Sequence, residues 1–253
     1  ISEVAPPEMV THFSYLPRED KKWTQSTAKK ELGRILDDVF KDLVKDLAGR
    51  SVLLPLSGGL DSRLVLAKLI EHGHDNIMTF SYGVKGNGEI EIARKIASTL
   101  KVKWLELPSK NPHALYSSPL RKDFEKFTSG LSITPSYLDF EALDQLSRRS
   151  DIPKDAIIIN GQTGDFIAGA HIPAELIHDN ATPDMAIKAI AKKHYRQRPD
   201  LVNTAALYAN LKEQMKDIGD CPAYGLFESW AWNERQAQAV MIVQRHYAFF
   251  GHD

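Results

Sequence analysis

Residues 51–63 read Ser-Val-Leu-Leu-Pro-Leu-Ser-Gly-Gly-Leu-Asp-Ser-Arg, and their reading decides the fold. Residues 51–56 form a short apolar run suited to a buried strand. Pro55 donates no ladder hydrogen bond, so it fits best near the C-terminal end of that strand. The run opens into Ser57-Gly58-Gly59-Leu60-Asp61-Ser62, followed by a helical stretch from Leu64 that Gly73 closes. Two adjacent glycines let backbone N–H groups approach a ligand at φ values other residues resist. The helix start adds unpaired N–H groups and the positive end of its dipole, and Ser57 and Ser62 add hydroxyls. Together these make a cradle for phosphate or pyrophosphate. Asp61 would repel a bare phosphate, so the loop predicts a polyphosphate with Mg²⁺ between it and the acid. The bland alternative is a tight turn and helix cap with no ligand; the order of strand, glycines, acid and serine speaks against it. The GxGxxG and GxxxxGK[ST] loops are both absent.

Working outward, the pattern predicts a helix over 28–48. Leu32, Ile35, Leu36, Val39, Phe40, Leu43, Val44 and Leu47 recur at three- and four-residue spacing, with Ser26 or Thr27 as cap and Gly49 as stop. Strands are expected at 77–82, 102–107 and 156–160, with a helix at 88–100. Strands alternating with helices of this length mean βαβ crossovers and a parallel sheet. Beyond residue 160 the chain reads as helices at 182–197, 203–217 and 225–250. The expected organisation is a linker or arm over 1–27 and one domain over 28–253. That domain divides into an α/β nucleotide-binding part, 28–180, and a helical part, 181–253. Ile1 at the start and Tyr-Ala-Phe-Phe-Gly-His-Asp at the end suggest a piece of a longer protein; a complete small protein that has lost its first methionine is the alternative.

Composition narrows the class. Lys plus Arg is 32 and Asp plus Glu 33, a formal charge of −1, which argues against a general nucleic-acid or membrane-surface binder. One cysteine, Cys221, excludes an internal disulfide framework and an all-cysteine metal site. The histidines, His12 and His113 among them, fit no zinc spacing such as HExxH. No run approaches the length of a spanning helix and no signal peptide is visible, so a cytoplasmic setting is expected.

A second strand opens into glycines and an acid: residues 156–160, Ala-Ile-Ile-Ile-Asn, run into Gly161-Gln162-Thr163-Gly164-Asp165. In a parallel sheet both turns emerge at the C-terminal edge, where ligands bind. Asp61 and Asp165 could then hold one Mg²⁺ across a pyrophosphate, although surface aspartate is common.

The stretch SGGLDS resembles the PP-loop of the ATP pyrophosphatase superfamily. The form SGGLDSR, after an amphipathic helix and an apolar strand, is similar to the C-terminal synthetase domain of the asparagine synthetase family, and the chain looks like a divergent amidotransferase-like member. The resemblance implies a Rossmann-like adenine nucleotide alpha hydrolase fold, with a parallel sheet flanked by helices. It implies ATP and Mg²⁺ as cofactors and a reaction of the asparagine synthase (glutamine-hydrolysing) type. A carboxylate is activated as an acyl-adenylate with release of pyrophosphate, and ammonia or an amine then attacks. The nucleotide-binding residues it implies are Leu56, Ser57, Gly58, Gly59, Asp61, Ser62, Phe80, Ser81, Asn160 and Gly161. Asp61 and Asp165 are the implied metal ligands, and Asp61, Gln162 and Asp165 the catalytic set.

The sequence departs from the family pattern at Gln162, where a glutamate is usual, and at Phe166, where an acid follows the metal aspartate. Glutamine hydrogen-bonds but takes no proton. Glu89 has two open readings, the family's acidic position or a favourable first-turn charge. Residues 227–251 place Glu228, Trp232, Arg235, Gln236 and Arg245 among aromatics; most of the aromatics read as core, and either arginine could meet a phosphate or carboxylate. The family's transition-state lysine has no match in this sequence. Its glutaminase domain, expected in the same full-length chain or a partner, is also unmatched, and Cys221 is not its nucleophile. Two other readings stand beside the ligase: a catalytically silent nucleotide-binding or scaffold domain, and an RNA-modifying PP-loop enzyme. The latter fits the near-zero charge and the absence of CxxC poorly.

Overall fold

The structure, a computed structural model, describes residues 13, 15–17, 23–109, 117–129, 136–195, 203–216, 218 and 221–253. Most of the arm expected over 1–27 lies outside these residues, as do His12 and His113.

Strands β1 (Val52–Pro55), β2 (Ile77–Gly83), β3 (Lys103–Pro108) and β4 (Ile157–Ile158) form one sheet in the order β3-β2-β1-β4. Every pairing is parallel. Helix α1 (Gln25–Leu47) precedes β1, and α2 (Leu60–Glu71) and α3 (Gly88–Leu100) make the first two crossovers. Helices α4 (Pro119–Thr128) and α5 (Tyr137–Ser147) follow β3, and the short α6 (Gly164–Ile167) follows β4.

Alternation along the strands feeds two cores. Val52 and Leu54 pack with Phe40, Leu47, Leu66, Leu69, Ala93 and Ala97, whereas Leu53 packs with Phe80, Leu107, Leu143, Leu146 and Ile158. A parallel sheet needs both faces covered, which is why β1 is apolar at every position before its proline. Leu53 and Leu54 are fully buried, each contributing about 1.5–3 kcal/mol relative to exposure.

Three local expectations are corrected. The cap of α1 is Thr24, not Ser26 or Thr27: the Thr24 hydroxyl accepts from the Thr27 N–H at 3.2 Å and the Thr27 hydroxyl accepts from the Thr24 N–H at 2.9 Å. This reciprocal box, with its three-residue spacing, starts the helix at Gln25. The strand expected over 156–160 is only Ile157–Ile158. Ile157 and Ile159 donate to Ser51 and Leu53 of the β1 side, but the next rung would need an N–H from residue 55, which is Pro55. The helix expected over 225–250 is divided into α9 (Ala223–Ala231), a π turn (Trp232–Gln236) and α10 (Ala237–Phe249).

The chain forms two compact units, Lys22–Ala170 with Gln238–Asp253 and Ile1–Lys21 with His171–Ala237. The first contains the sheet. In the second, α7 (Pro183–His194), α8 (Thr204–Met215) and α9 bury Ile187, Ile190, Leu211, Met215, Phe227 and Trp230. The Trp230 indole donates to Gln214 at 3.1 Å, and Tyr15 stacks on Trp232 with ring centres 5.3 Å apart. Among the described residues no helix is long and apolar enough to cross a membrane.

Candidate functional site

The loops after β1 and β4 leave the same edge of the sheet, as a parallel arrangement requires. A cavity of about 350 Å³ opens there. Leu56, Ser57, Asp61 and Ser62 line it from the first turn, Ser81 and Tyr82 from β2, Asn87, Glu89 and Ile90 from the start of α3, and Gly161 from the second turn.

The first turn is organised by its own side chains. Ser62 Oγ accepts from the Ser57 N–H at 3.2 Å, Ser57 Oγ accepts from the Gly59 N–H at 3.1 Å, and the two hydroxyls lie 3.2 Å apart. Gly59 caps α2 with no side-chain hydrogen bond. Its missing side chain leaves the start of the helix without the usual cap, the state an incoming anion would use. A Cβ on Gly58 would press on the Glu89 backbone and on Ile92, both at 3.3 Å, so the loop packs tightly on α3.

The second turn lies directly on the first. A Cβ on Gly161 would fall 2.5 Å from the Ser62 nitrogen and 2.8 Å from the Asp61 carbonyl carbon, and one on Gly164 would collide with the Asp61 carboxylate. Both glycines are therefore required by close approach. Between them Thr163 has φ of 85°, left-handed backbone that a β-branched residue rarely adopts. Asp165 is exposed in the first turn of α6, one residue beyond Gly164.

The other sequence-predicted residues divide. Gly58 and Gly59 shape the turn. The Phe80 side chain is buried in the core, and its carbonyl accepts from the Leu56 N–H at 2.8 Å. Ser81 Oγ donates to the Leu56 carbonyl at 2.6 Å and accepts from the Trp104 indole at 3.0 Å. Asn160 and Gln162 line a different cavity, of about 550 Å³, together with Gln244, Tyr247 and His252. Asn160 donates to the Tyr247 hydroxyl at 2.7 Å and accepts from the Gln162 N–H at 2.9 Å, fixing the turn's entry. Arg245 is half-buried on α10, and Arg235 is exposed in the helical unit.

Sequence reasoning missed Pro55, Asn87 and Ile90 as cavity residues, whereas Tyr82 belongs to the stretch 79–83 that the family resemblance places beside adenine and ribose. Asn87 carried a signal: it caps α3, its side chain accepting from the Glu89 N–H at 2.9 Å, and an Asn ahead of an acidic helix start is readable. The partner of Tyr82 carried none, because it is distant in sequence. The Tyr82 hydroxyl donates to Asp139 at 2.8 Å, and the other Asp139 oxygen lies 3.2 Å from His246 Nδ1. Burial, reinforced by the Asp139 charge, raises Tyr82 far above an ordinary phenol, so it remains a hydrogen-bond donor. Burial likewise pushes Tyr247 up to about 12, against the opposing Asn160 hydrogen bond.

In the helical unit, Glu228 is buried and lies 3.9 Å from His171 Nε2. Burial raises the Glu228 carboxyl. Burial also lowers His194 to about 4, helped by the charges of Arg235, Lys193 and His171.

Among the described residues no group of three or more His, Cys, Asp or Glu is placed to hold a metal unaided. Magnesium is commonly held by one or two carboxylates with phosphate and water completing its shell. The Asp61 carboxylate, seated against Gly164 beside the cavity, fits that habit.

The sequence matches the family Asparagine synthase over residues 36–245. A stretch of 69 residues is 41% identical to 7-cyano-7-deazaguanine synthase of Archaeoglobus fulgidus, covering 27% of this chain and 28% of that protein. The chain thus spans less than a third of the curated relative's length in this match. The NH3-dependent NAD synthetase of Campylobacter jejuni, solved with nitrate, aligns at 17% identity and a TM-score of 0.37, over 76% of this chain and 96% of that one. With its PP-loop after β1 and its parallel sheet, the chain belongs to the asparagine synthase family, a branch of the ATP-using PP-loop ligases and synthases.

Proposed function

We propose that this chain performs the synthetase reaction of an ATP-dependent carbon–nitrogen ligase. A substrate carboxylate oxygen attacks the α-phosphorus of ATP and the α–β phosphoanhydride bond breaks. Pyrophosphate leaves, and ammonia or another amine displaces AMP from the acyl-adenylate. The observation that carries the reading is Asp61, packed against both Gly161 and Gly164 beside the cavity.

The roles follow from chemistry. The Ser57 and Ser62 hydroxyls and the N–H groups around Gly58 and Gly59 hold the β and γ phosphates, where leaving charge develops. Leu56, Ser81 and the backbone of Phe80, Asn160 and Gly161 flank the nucleoside. Asp61 and Asp165 would hold Mg²⁺, which would supply charge neutralisation to the polyphosphate and the departing pyrophosphate. Gln162 orients by hydrogen bonding and moves no proton. In this reading residues 28–180 serve the nucleotide, and a glutaminase domain in the full-length chain or a partner supplies ammonia.

Incubation with ATP, ammonium and candidate carboxylates such as aspartate or sugar acids tests it. AMP and pyrophosphate are the expected products, and only with Mg²⁺. ADP and phosphate in their place overturn the reading. The exposure of Gln162, which lines the other cavity, favours one alternative, a nucleotide-binding scaffold. Tight ATP binding without AMP formation across the acceptor panel would select it.

A further inference from the structure

We propose that Arg63 is a positioning residue of the first turn, fixing the Gly58–Gly59 peptide so that its N–H edge rather than its carbonyl serves the polyphosphate; this rests on the nucleotide reading above. Arg63 Nη2 donates to the Gly58 carbonyl at 3.1 Å, and the N–H of the same peptide, that of Gly59, donates to Ser57 Oγ at 3.1 Å. One peptide plane is thus tied at both edges. Two adjacent glycines have little intrinsic resistance to rotating that plane. A rotated plane would turn a carbonyl oxygen toward the phosphates and repel them.

The charge of Arg63 points the same way. Arg94, Arg121, Arg148 and Arg149 each pair with a carboxylate. Arg63, like Arg50, Arg235 and Arg245, has no such pair among the described residues, and of these only Arg63 has a buried Nε with no hydrogen-bond partner. It also sits in the first turn of α2, where the helix dipole disfavours a cation. An uncompensated guanidinium behind an anion cradle becomes favourable when a polyphosphate arrives. The Gly59 N–H donates to Ser57 Oγ, and a phosphate oxygen would take the place of that hydroxyl as its acceptor. Arg63 does not line the cavity, so it acts through the loop.

The test is calorimetric titration of wild type, Arg63→Ala and Arg63→Lys with Mg-ATP, Mg-pyrophosphate and adenosine, with thermal melting of each. Arg63→Ala is expected to weaken Mg-ATP and Mg-pyrophosphate in parallel, by about tenfold, the scale of one charged hydrogen bond, and to leave adenosine unchanged. Millimolar guanidinium should restore part of the loss in Arg63→Ala and none in wild type. If Arg63→Ala does not fold, Arg63→Lys is read alone: weaker pyrophosphate binding at an unchanged melting temperature supports the proposal. Wild-type affinities in a folded Arg63 variant overturn it, as does an equal loss for adenosine. Failure of wild type to bind Mg-ATP or Mg-pyrophosphate overturns the nucleotide reading itself.

Discussion

The turns at 57–62 and 160–165 both border the sheet-edge cavity, yet they are held in different ways. In the first, the side-chain hydrogen bonds are local: serine hydroxyls meet N–H groups two and five residues away, and Arg63 reaches back to Gly58. In the second, a local bond from the Gln162 N–H to the Asn160 side chain is joined by contacts from far along the chain. Asp61 packs on Gly161 and Gly164, and Tyr247 holds Asn160 across 87 residues of sequence. A turn of the first kind is written into a short motif. A turn of the second kind takes its shape from what it packs on, and Thr163 holds left-handed backbone within it.

The hardest test of this contrast is the residue the two turns share. Asp61→Asn should lower magnesium-dependent pyrophosphate release on the order of 10³-fold, as expected when charge stabilisation at a leaving group is lost. Stability should change little, because the isosteric amide preserves the packing; a pyrophosphate assay with parallel melting curves reads both. Gly164→Ala acts sterically. Its Cβ would push the Asp61 carboxylate aside, and a displacement near 1 Å should cost about 10²-fold in the same assay. If Gly164→Ala retains full activity, the second turn is not seated as described.

Tyr247→Phe is the gentler version. It removes the acceptor for Asn160 and should weaken the reaction by about three- to tenfold, the scale of one neutral hydrogen bond. An effect larger than that of Gly164→Ala would mean that Asn160 matters more than the contact with Asp61. Smallest is a control belonging to neither turn. Glu228 is raised by burial, so the folded state holds its proton more tightly than the unfolded chain. Its contribution is therefore lost as pH rises through the folded value. Melting curves should then show Glu228→Gln more stable than wild type at pH 7–8. That gain should fade below the unfolded glutamate value near 4.5. His194 works in the opposite sense: lowered to about 4, it costs stability as pH falls from 6.5.

The same contrast explains what the sequence could reveal. The sheet, its parallel sense and the first turn follow from apolar runs, spacing and one glycine motif, all local signals. The meeting of the turns was inferred from topology, and the glycines at 161 and 164 provide its physical content. Tyr82, Asp139 and His246 come from β2, α5 and α10, and nothing in their own surroundings in sequence marks them as partners. Motif position groups Gln162 with the aspartates, but Gln162 lines the other cavity together with Asn160. Thr24 does not stand out as a cap in the sequence because its reciprocal partner is another threonine rather than the usual Glu or Gln.

Pro55 has a consequence beyond its own strand. Because it has no hydrogen to offer, the carbonyl of Ile159 is not claimed by the sheet, and the backbone from there onward can peel away from β1. The imino acid thus unzips one tooth of the ladder, and the freed segment is the one that crosses over to Asp61. A valine at position 55 would suit the buried strand better and would supply that missing tooth, so the most awkward residue in β1 is also what lets the two turns come together.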